Sequence, residues 1–240
     1  MDIYEIKSMK DRIAGNPYVG RGIVLGKSED GKHAIAAYFI MGRSENSRNR
    51  VFALEEDGTL FTRPFDPSKV EDPSLIIYAA ARSYENRRIV TNGDQTDTVF
   101  NGLKQGRSFA DALTSRAFEP DAPNLTPRIS GMITFNGGDF TYEMSILKSA
   151  DALGTACNRY HFSYAALNGL GHFIHTYVTD GNPIPTFQGE PERVAIPNDM
   201  EAFANEIWEN LDENNKISLF VEYVNLEDGS VQRKVINRNQ

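Results

Sequence analysis

The chain of 240 residues has a single cysteine, Cys157. No intrachain disulfide can form, and a reducing compartment is the simplest expectation. No run of 18 apolar residues occurs, so no segment reads as a membrane-spanning helix. The opening MDIYEIKSMKDRIAG lacks the apolar stretch of a secretory signal. Basic residues are in deficit: Lys plus Arg is 25 against 33 Asp plus Glu, for a net charge of -8. That balance argues against broad, sequence-independent nucleic-acid binding, which needs a basic face. There is no Ser/Gly-rich tract, Pro-rich spacer or long single-sign charge block. The expectation is one domain over residues 1–240, cytoplasmic, with neither membrane nor nucleic-acid partners.

Several chemistries are missing as well. There is no G-x-G-x-x-G after a strand, no Walker A loop and no G-x-S-x-G. His33, His161, His172 and His175 have no Cys or acidic companions at zinc spacing, so no metal site is expected. GHFIH reads as part of a strand, and Cys157 as structural.

What is present points to antiparallel sheet. SEDGK (28–32), EEDG (55–58), NGGD (136–139) and LEDG (226–229) each separate two apolar or alternating runs. Asp-Gly and Gly-Gly supply the positive φ that tight hairpins need. The run HAIAAYFIM is nearly continuous in apolar character, as expected of a strand covered on both faces. Two helices are predicted, over 108–118 with a Ser108/Asp111 cap and over 198–211 with Asn198 or Asp199 as cap. The stripe Met200, Phe203, Ile207, Trp208, Leu211 has helical spacing. Residues 151–160 read as a loop or short helix. Hairpins with a few covering helices define an α+β protein, expected as two stacked sheets with helices outside.

Against the acidic background, GRSENSRNR (42–50) carries three arginines, Arg43, Arg48 and Arg50, beside Ser44, Asn46, Ser47 and Asn49. A guanidinium offers planar bidentate donation to phosphate or carboxylate. The bland reading is a solvated loop; the sharper one is an anion site. VTNGDQTDTVF (90–100) is either a turn whose Asx and Thr side chains bond local backbone or a ligand-facing loop. Arg128 in NLTPRISG opens a strand after Thr126-Pro127, and Glu119 follows the first predicted helix. Tyr78, ending the apolar run SLIIY, is core unless a neighbouring cation tunes it.

Taken in order, YVGRGIVLGKSEDGK, GRSENSRNR, SLIIYAAAR, VTNGDQTDTV and NLTPRISGMITFNG resemble the archaeal-type IMP cyclohydrolase family, most strongly over residues 18–147. The resemblance implies a four-layer αββα sandwich similar to N-terminal nucleophile hydrolases. Self-processing is not expected, since Met1-Asp2 offers no Ser, Thr or Cys. It implies an enzyme, a hydrolase acting on cyclic amidines. That enzyme closes 5-formamidoimidazole-4-carboxamide ribotide to inosine monophosphate and water in purine biosynthesis, without cofactor or metal. A homo-oligomer is also implied. By the same resemblance Arg50, Tyr78 and Glu119 are the catalytic candidates. Arg21, Arg43, Ser44, Asn92, Gly93, Thr96, Asp97, Thr98 and Arg128 are the substrate-binding candidates. Two places depart from the family: Asp94-Gln95 stands where Ser-His precedes Thr-Asp, and Ser47-Arg48 where Phe-Pro precedes Asn-Arg. The first departure motivates an alternative, a purine-nucleotide-binding protein that has lost turnover. An amidohydrolase acting on another linear amide is a third reading, weakened by the lack of an evident nucleophile.

Overall fold

The computed structural model describes residues 2–70 and 77–239. Two antiparallel sheets dominate it. The six-stranded sheet runs in the order β11 (Glu192–Ala195), β10 (Leu170–His175), β1 (Arg21–Lys27), β2 (His33–Met41), β12 (Lys216–Asn225), β13 (Val231–Asn237). The seven-stranded sheet follows chain order: β3 (Arg50–Leu54), β4 (Leu60–Pro64), β5 (Tyr78–Tyr84), β6 (Arg87–Thr91), β7 (Arg128–Asn136), β8 (Asp139–Ser149), β9 (Cys157–Ala165). All four predicted turns join neighbouring strands, at β1–β2, β3–β4, β7–β8 and β12–β13. Chemistry at one or two residues therefore set four registers.

The strand β2 explains why HAIAAYFIM is apolar throughout. Ile35, Ala37, Phe39 and Met41 belong to one core, while Ala34, Ala36, Tyr38 and Ile40 belong to another between the two sheets. The first core is closed by helices α1 (Met9–Ile13) and α5 (Met200–Asn210), through Met9, Ile13, Phe203, Ala204 and Ile207. Asp199 caps α5 by accepting from the Ala202 amide at 3.0 Å. A third core lies on the outer face of the seven-stranded sheet. There α3 (Gln95–Lys104) and α4 (Phe109–Leu113) pack Val99, Phe100, Phe109 and Leu113 against Ile89, Met132 and Leu147. Each such side chain is worth about 1.5–3 kcal/mol of burial, which holds the elements in these layers.

Four expectations need correction. The helix predicted over 108–118 is only five residues long, although its Ser108 cap is present: Ser108 Oγ accepts from the Asp111 amide at 3.1 Å. The stretch 92–98 is not simply a turn or loop. It bends at Asn92–Gly93 and then enters α3, an amphipathic helix hidden by the Thr- and Asp-rich composition of its first turn. Residues 157–165, partly read as loop or helix, form the edge strand β9. Tyr78 begins β5 rather than ending a strand; the preceding residues 71–76, with most of SLII, lie outside the described residues.

One buried ion pair joins the sheets. Arg88 on β6 donates from Nε and Nη2 to the Glu222 carboxylate on β12 at 2.8 and 3.1 Å. Arg233 on β13 adds a third donation at 2.6 Å.

Candidate functional site

Antiparallel pairing brings many strand ends to one end of the sandwich. β1, β5 and β7 begin there, while β2, β8 and β10 finish there. The hollow between them has a volume of about 250 Å³ and is lined by Tyr18, Arg21, Arg43, Ser44, Ser47, Arg50, Asp121, Asn124, Thr126, Tyr177 and Ile184. Gly20 makes the approach to it possible. Its φ is 79°, and a Cβ there would sit 2.1 Å from the Thr176 hydroxyl that accepts from the Arg21 amide.

Arg50 is the innermost cation, 2% exposed. Its Nε donates to the Ser47 carbonyl at 2.6 Å and its Nη2 to the Met41 carbonyl at 3.3 Å. Those bonds exist because Ser44 and Ser47 cap each other around α2 (Glu45–Arg48), turning the chain back beneath the guanidinium. Among the described residues no carboxylate forms an ion pair with Arg50, and its remaining donors face the hollow. Burial, together with repulsion from Arg21, pulls its pKa below the ordinary arginine value.

Arg21 does have a counter-ion: its Nη2 lies 3.5 Å from a Glu119 carboxylate oxygen. Burial alone would lower the Arg21 pKa, but the Glu119 charge opposes this and the guanidinium stays firmly protonated. Glu119 is 3% exposed. Burial raises its carboxyl above the usual range, and the nearby Arg21, Arg128 and Arg50 charges only partly offset this. The segment after Glu119 forms one wall. The Glu119 amide donates to the Thr126 carbonyl at 2.8 Å, Asp121 accepts from the Thr126 amide at 2.7 Å, and the Thr126 and Tyr177 hydroxyls are 2.5 Å apart. Leu125, in this wall, holds φ at 47°, a conformation that ordinary side chains disfavour.

Arg43 stands at the mouth. It pairs with Asp180 at 2.5 Å, donates to the Gly181 carbonyl at 2.9 Å, and lies over the Tyr18 ring at 5.3 Å. Arg48 points elsewhere. It ties the loop to the Gly42 carbonyl and to the Asn215 side chain, both at 3.1 Å. So of the three arginines, two face the hollow and the third fastens the turn that aims them.

Tyr78 lies behind the lining, 5% exposed, with its hydroxyl 2.9 Å from that of Tyr38. Both hydroxyls lie near Arg21 and Arg50. Burial pushes the Tyr38 hydroxyl well above the usual tyrosine value.

The remaining candidates form a supporting knot. Arg128 donates to Asp94 and to the Gln95 side-chain carbonyl, both at 2.8 Å. Asp94 also pairs with Arg116; burial opposes its ionisation, but the two arginines hold its pKa below the usual range. Asn92 accepts from the Ile129 amide at 2.9 Å and from Gln95 at 2.8 Å, and donates to the Pro127 carbonyl at 2.9 Å. Gly93 leaves room for this, since a Cβ there would fall 2.7 Å from both Arg128 Nη1 and Gln95 Oε1. The Thr96 hydroxyl is 2.7 Å from that of Thr91. Asp97 is exposed and pairs with Arg82 at 2.7 Å, beside a different hollow. Thr98 is half-buried on the first turns of α3.

Sequence reasoning missed Tyr18, Tyr38, Asp121, Asn124, Thr126, Tyr177, Asp180 and Ile184. Asn124 and Thr126 stood inside the quoted NLTPRISG motif and carried a polar signal. Tyr177, Asp180 and Ile184 come from beyond residue 150, where no local pattern points to a ligand.

A family profile described as IMP cyclohydrolase-like protein matches residues 18–229, and the chain belongs to that family. Among curated relatives, an IMP cyclohydrolase of Methanopyrus kandleri is 39% identical over 116 residues, covering 47% of this chain and 57% of the relative. The Methanothrix thermoacetophila enzyme of the same name is 32% identical over 121 residues, covering 49% and 58%. That of Haloarcula marismortui is 30% identical over 128 residues, covering 52% and 58%. The chain thus spans a little over half the length of the curated relatives it matches. No helix among the described residues is long and apolar enough to cross a membrane.

Proposed function

We propose that the protein is an IMP cyclohydrolase, closing 5-formamidoimidazole-4-carboxamide ribotide to inosine monophosphate with loss of water. The observation that carries this reading is Arg50: a buried guanidinium without a carboxylate partner among the described residues, facing the same hollow as Arg21 and Arg43. A buried cation is costly unless an anion or developing oxyanion completes it. Family membership and the names of the relatives supply the substrate class.

The reaction is intramolecular. The carboxamide nitrogen attacks the neighbouring formyl carbon, the formyl oxygen gains charge, and the resulting carbinolamine loses water. Both groups sit on one ring, so much of the proximity advantage is inherent in the substrate. The protein has to select the rotamer, stabilise the oxyanion and move protons. In this reading Arg50 donates to the oxyanion, a role typically worth about 3 kcal/mol. Tyr78, behind the lining and hydrogen-bonded to Tyr38, reaches the reacting groups only through an intervening proton carrier. Glu119 holds Arg21 in place. Arg43, the most accessible of the three, grips phosphate with Ser44; Arg128, Asn92, Gly93, Thr96 and Thr98 hold the neighbouring wall.

Gln95 bears on the alternative, a protein that binds without turnover. Its side chain is buried and spent on Asn92, Arg128 and the Ile129 carbonyl. A glutamine so placed supports the wall rather than the chemistry, which favours retained activity.

The finer fold reading is a four-layer αββα sandwich similar to N-terminal nucleophile hydrolases; α1 and α5 on one outer face and α3 and α4 on the other support it. A cytoplasmic homo-oligomer completes the proposal. The test is direct: purified protein with the formamido ribotide, followed by the absorbance change on ring closure. Tight binding of inosine monophosphate with no closure would replace the enzyme by the binding protein.

A further inference from the structure

A second hollow, of about 540 Å³, adjoins the arginine-lined one, and Asn124 and Ile184 line both. Lys148, near the end of β8, borders it. So does a smaller, more apolar hollow bounded by Tyr160, Phe162 and Phe187, in which Lys148 also takes part.

Lys148 is 9% exposed, and its Nζ makes one hydrogen bond, to the Phe187 carbonyl at 2.7 Å. An ammonium has three donors, so two remain. Among the described residues no carboxylate forms an ion pair with it, and burial alone lowers its pKa. Two acids lie near and neither serves. Asp151 spends its carboxylate on the Leu153 amide and the Thr155 side chain, and Glu190, bordering the apolar part, makes no ion pair with Lys148. Register places Asn158 of β9 directly opposite Lys148 on the same sheet face. Asn158 is exposed and makes no side-chain hydrogen bond among the described residues, so its amide can donate into the same space.

We propose that this hollow is a second oxyanion subsite, in which Lys148, assisted by the Asn158 amide, binds a phosphate group. The physical motive is the buried, uncompensated ammonium: an anion arriving there regains the desolvation cost that no protein carboxylate offsets. A compact, strongly hydrated ammonium with spare donors suits phosphate as a point charge. Two sources share that chemistry. One is the phosphate of the nucleotide bound in the arginine hollow, reaching across the Asn124–Ile184 ridge in place of the Arg43–Ser44 grip proposed above. The other is a separate phosphorylated small molecule.

The test is calorimetric titration of the full chain and its Lys148→Met variant with inorganic phosphate, inosine monophosphate and inosine. None of these requires ring closure, so the outcome is independent of whether the protein proves to be a cyclohydrolase. If the nucleotide's own phosphate occupies the site, Lys148→Met weakens inosine monophosphate at least tenfold and leaves inosine unchanged. If a separate ligand does, inosine monophosphate binding is unaltered and a phosphate site that persists at saturating nucleotide disappears. Unchanged affinities and stoichiometry for all three would overturn the proposal. Should Lys148→Met fail to fold, the wild-type chain with ¹³C-labelled lysine decides. The signal assigned by its loss in Lys148→Arg must move on adding phosphate, and a stationary signal overturns the subsite.

Discussion

Tyr38 on β2 and Tyr78 on β5 belong to different sheets, and their hydroxyls meet at 2.9 Å in the buried space between them. The pair lies near Arg21 and Arg50. Tyr78→Phe should lower ring closure by about 10²-fold or more. It also leaves the Tyr38 hydroxyl without its partner, costing about 1–3 kcal/mol of stability. The double variant Tyr38→Phe/Tyr78→Phe should recover that stability in urea unfolding and none of the rate. A rate restored along with stability would remove the tyrosines from proton transfer.

Arg50→Lys retains charge but loses the planar fork. Turnover should fall about 10²-fold, with inosine monophosphate affinity within a few-fold of the parent chain. Single-turnover kinetics and equilibrium binding separate the two effects, and parental rates would take Arg50 out of the chemistry.

At the mouth, Asp180 occupies Arg43 at 2.5 Å. Asp180→Asn should tighten nucleotide binding by a few-fold, about 1 kcal/mol at low salt, because the phosphate no longer displaces a carboxylate. The gain should shrink as salt is added. Weaker binding in the variant would assign Asp180 to ligand contact instead.

His172 donates to or accepts from the Tyr142 hydroxyl at 2.6 Å and stacks on Tyr164 at 3.7 Å between ring centres. Burial, helped by the Arg193 charge, lowers its pKa to about 4 from an ordinary 6.5. The unfolded chain therefore binds this proton more tightly. Its contribution to stability is intact above pH 6.5 and falls away between 6.5 and about 4. The full loss is on the order of 3 kcal/mol at 1.36 kcal/mol for each pKa unit. Urea titrations of His172→Gln across that interval should show a shallower decline than the parent; identical slopes would dismiss the assignment.

Glu222→Met strands the Arg88 guanidinium between the sheets and should cost about 3–5 kcal/mol, while Arg88→Met/Glu222→Met should recover most of it. Denaturant midpoints of the two variants give the comparison.

Much of this molecule is local information. Asp-Gly and Gly-Gly turns define hairpins because few residues tolerate positive φ. The unbroken apolar character of β2 announces two covered faces, since each face must leave water. The stripe of α5 is set by the same partition at helical spacing. Even the arginine cluster announced itself as an excess of donors in an acidic chain. What no local pattern holds is which strand ends share a space. Gly22 pairs with His175 across more than 150 positions of chain, and that pairing brings Tyr177, Asp180 and Ile184 to Arg21, Arg43 and Arg50. Other long-range contacts hold Arg48 to Asn215, place Tyr38 on Tyr78, and leave Lys148 without a carboxylate partner among the described residues. Hydrophobic periodicity decides which face of a strand is buried; the convergence of side chains depends on the sum of long-range registers, and only the assembled sheets contain it.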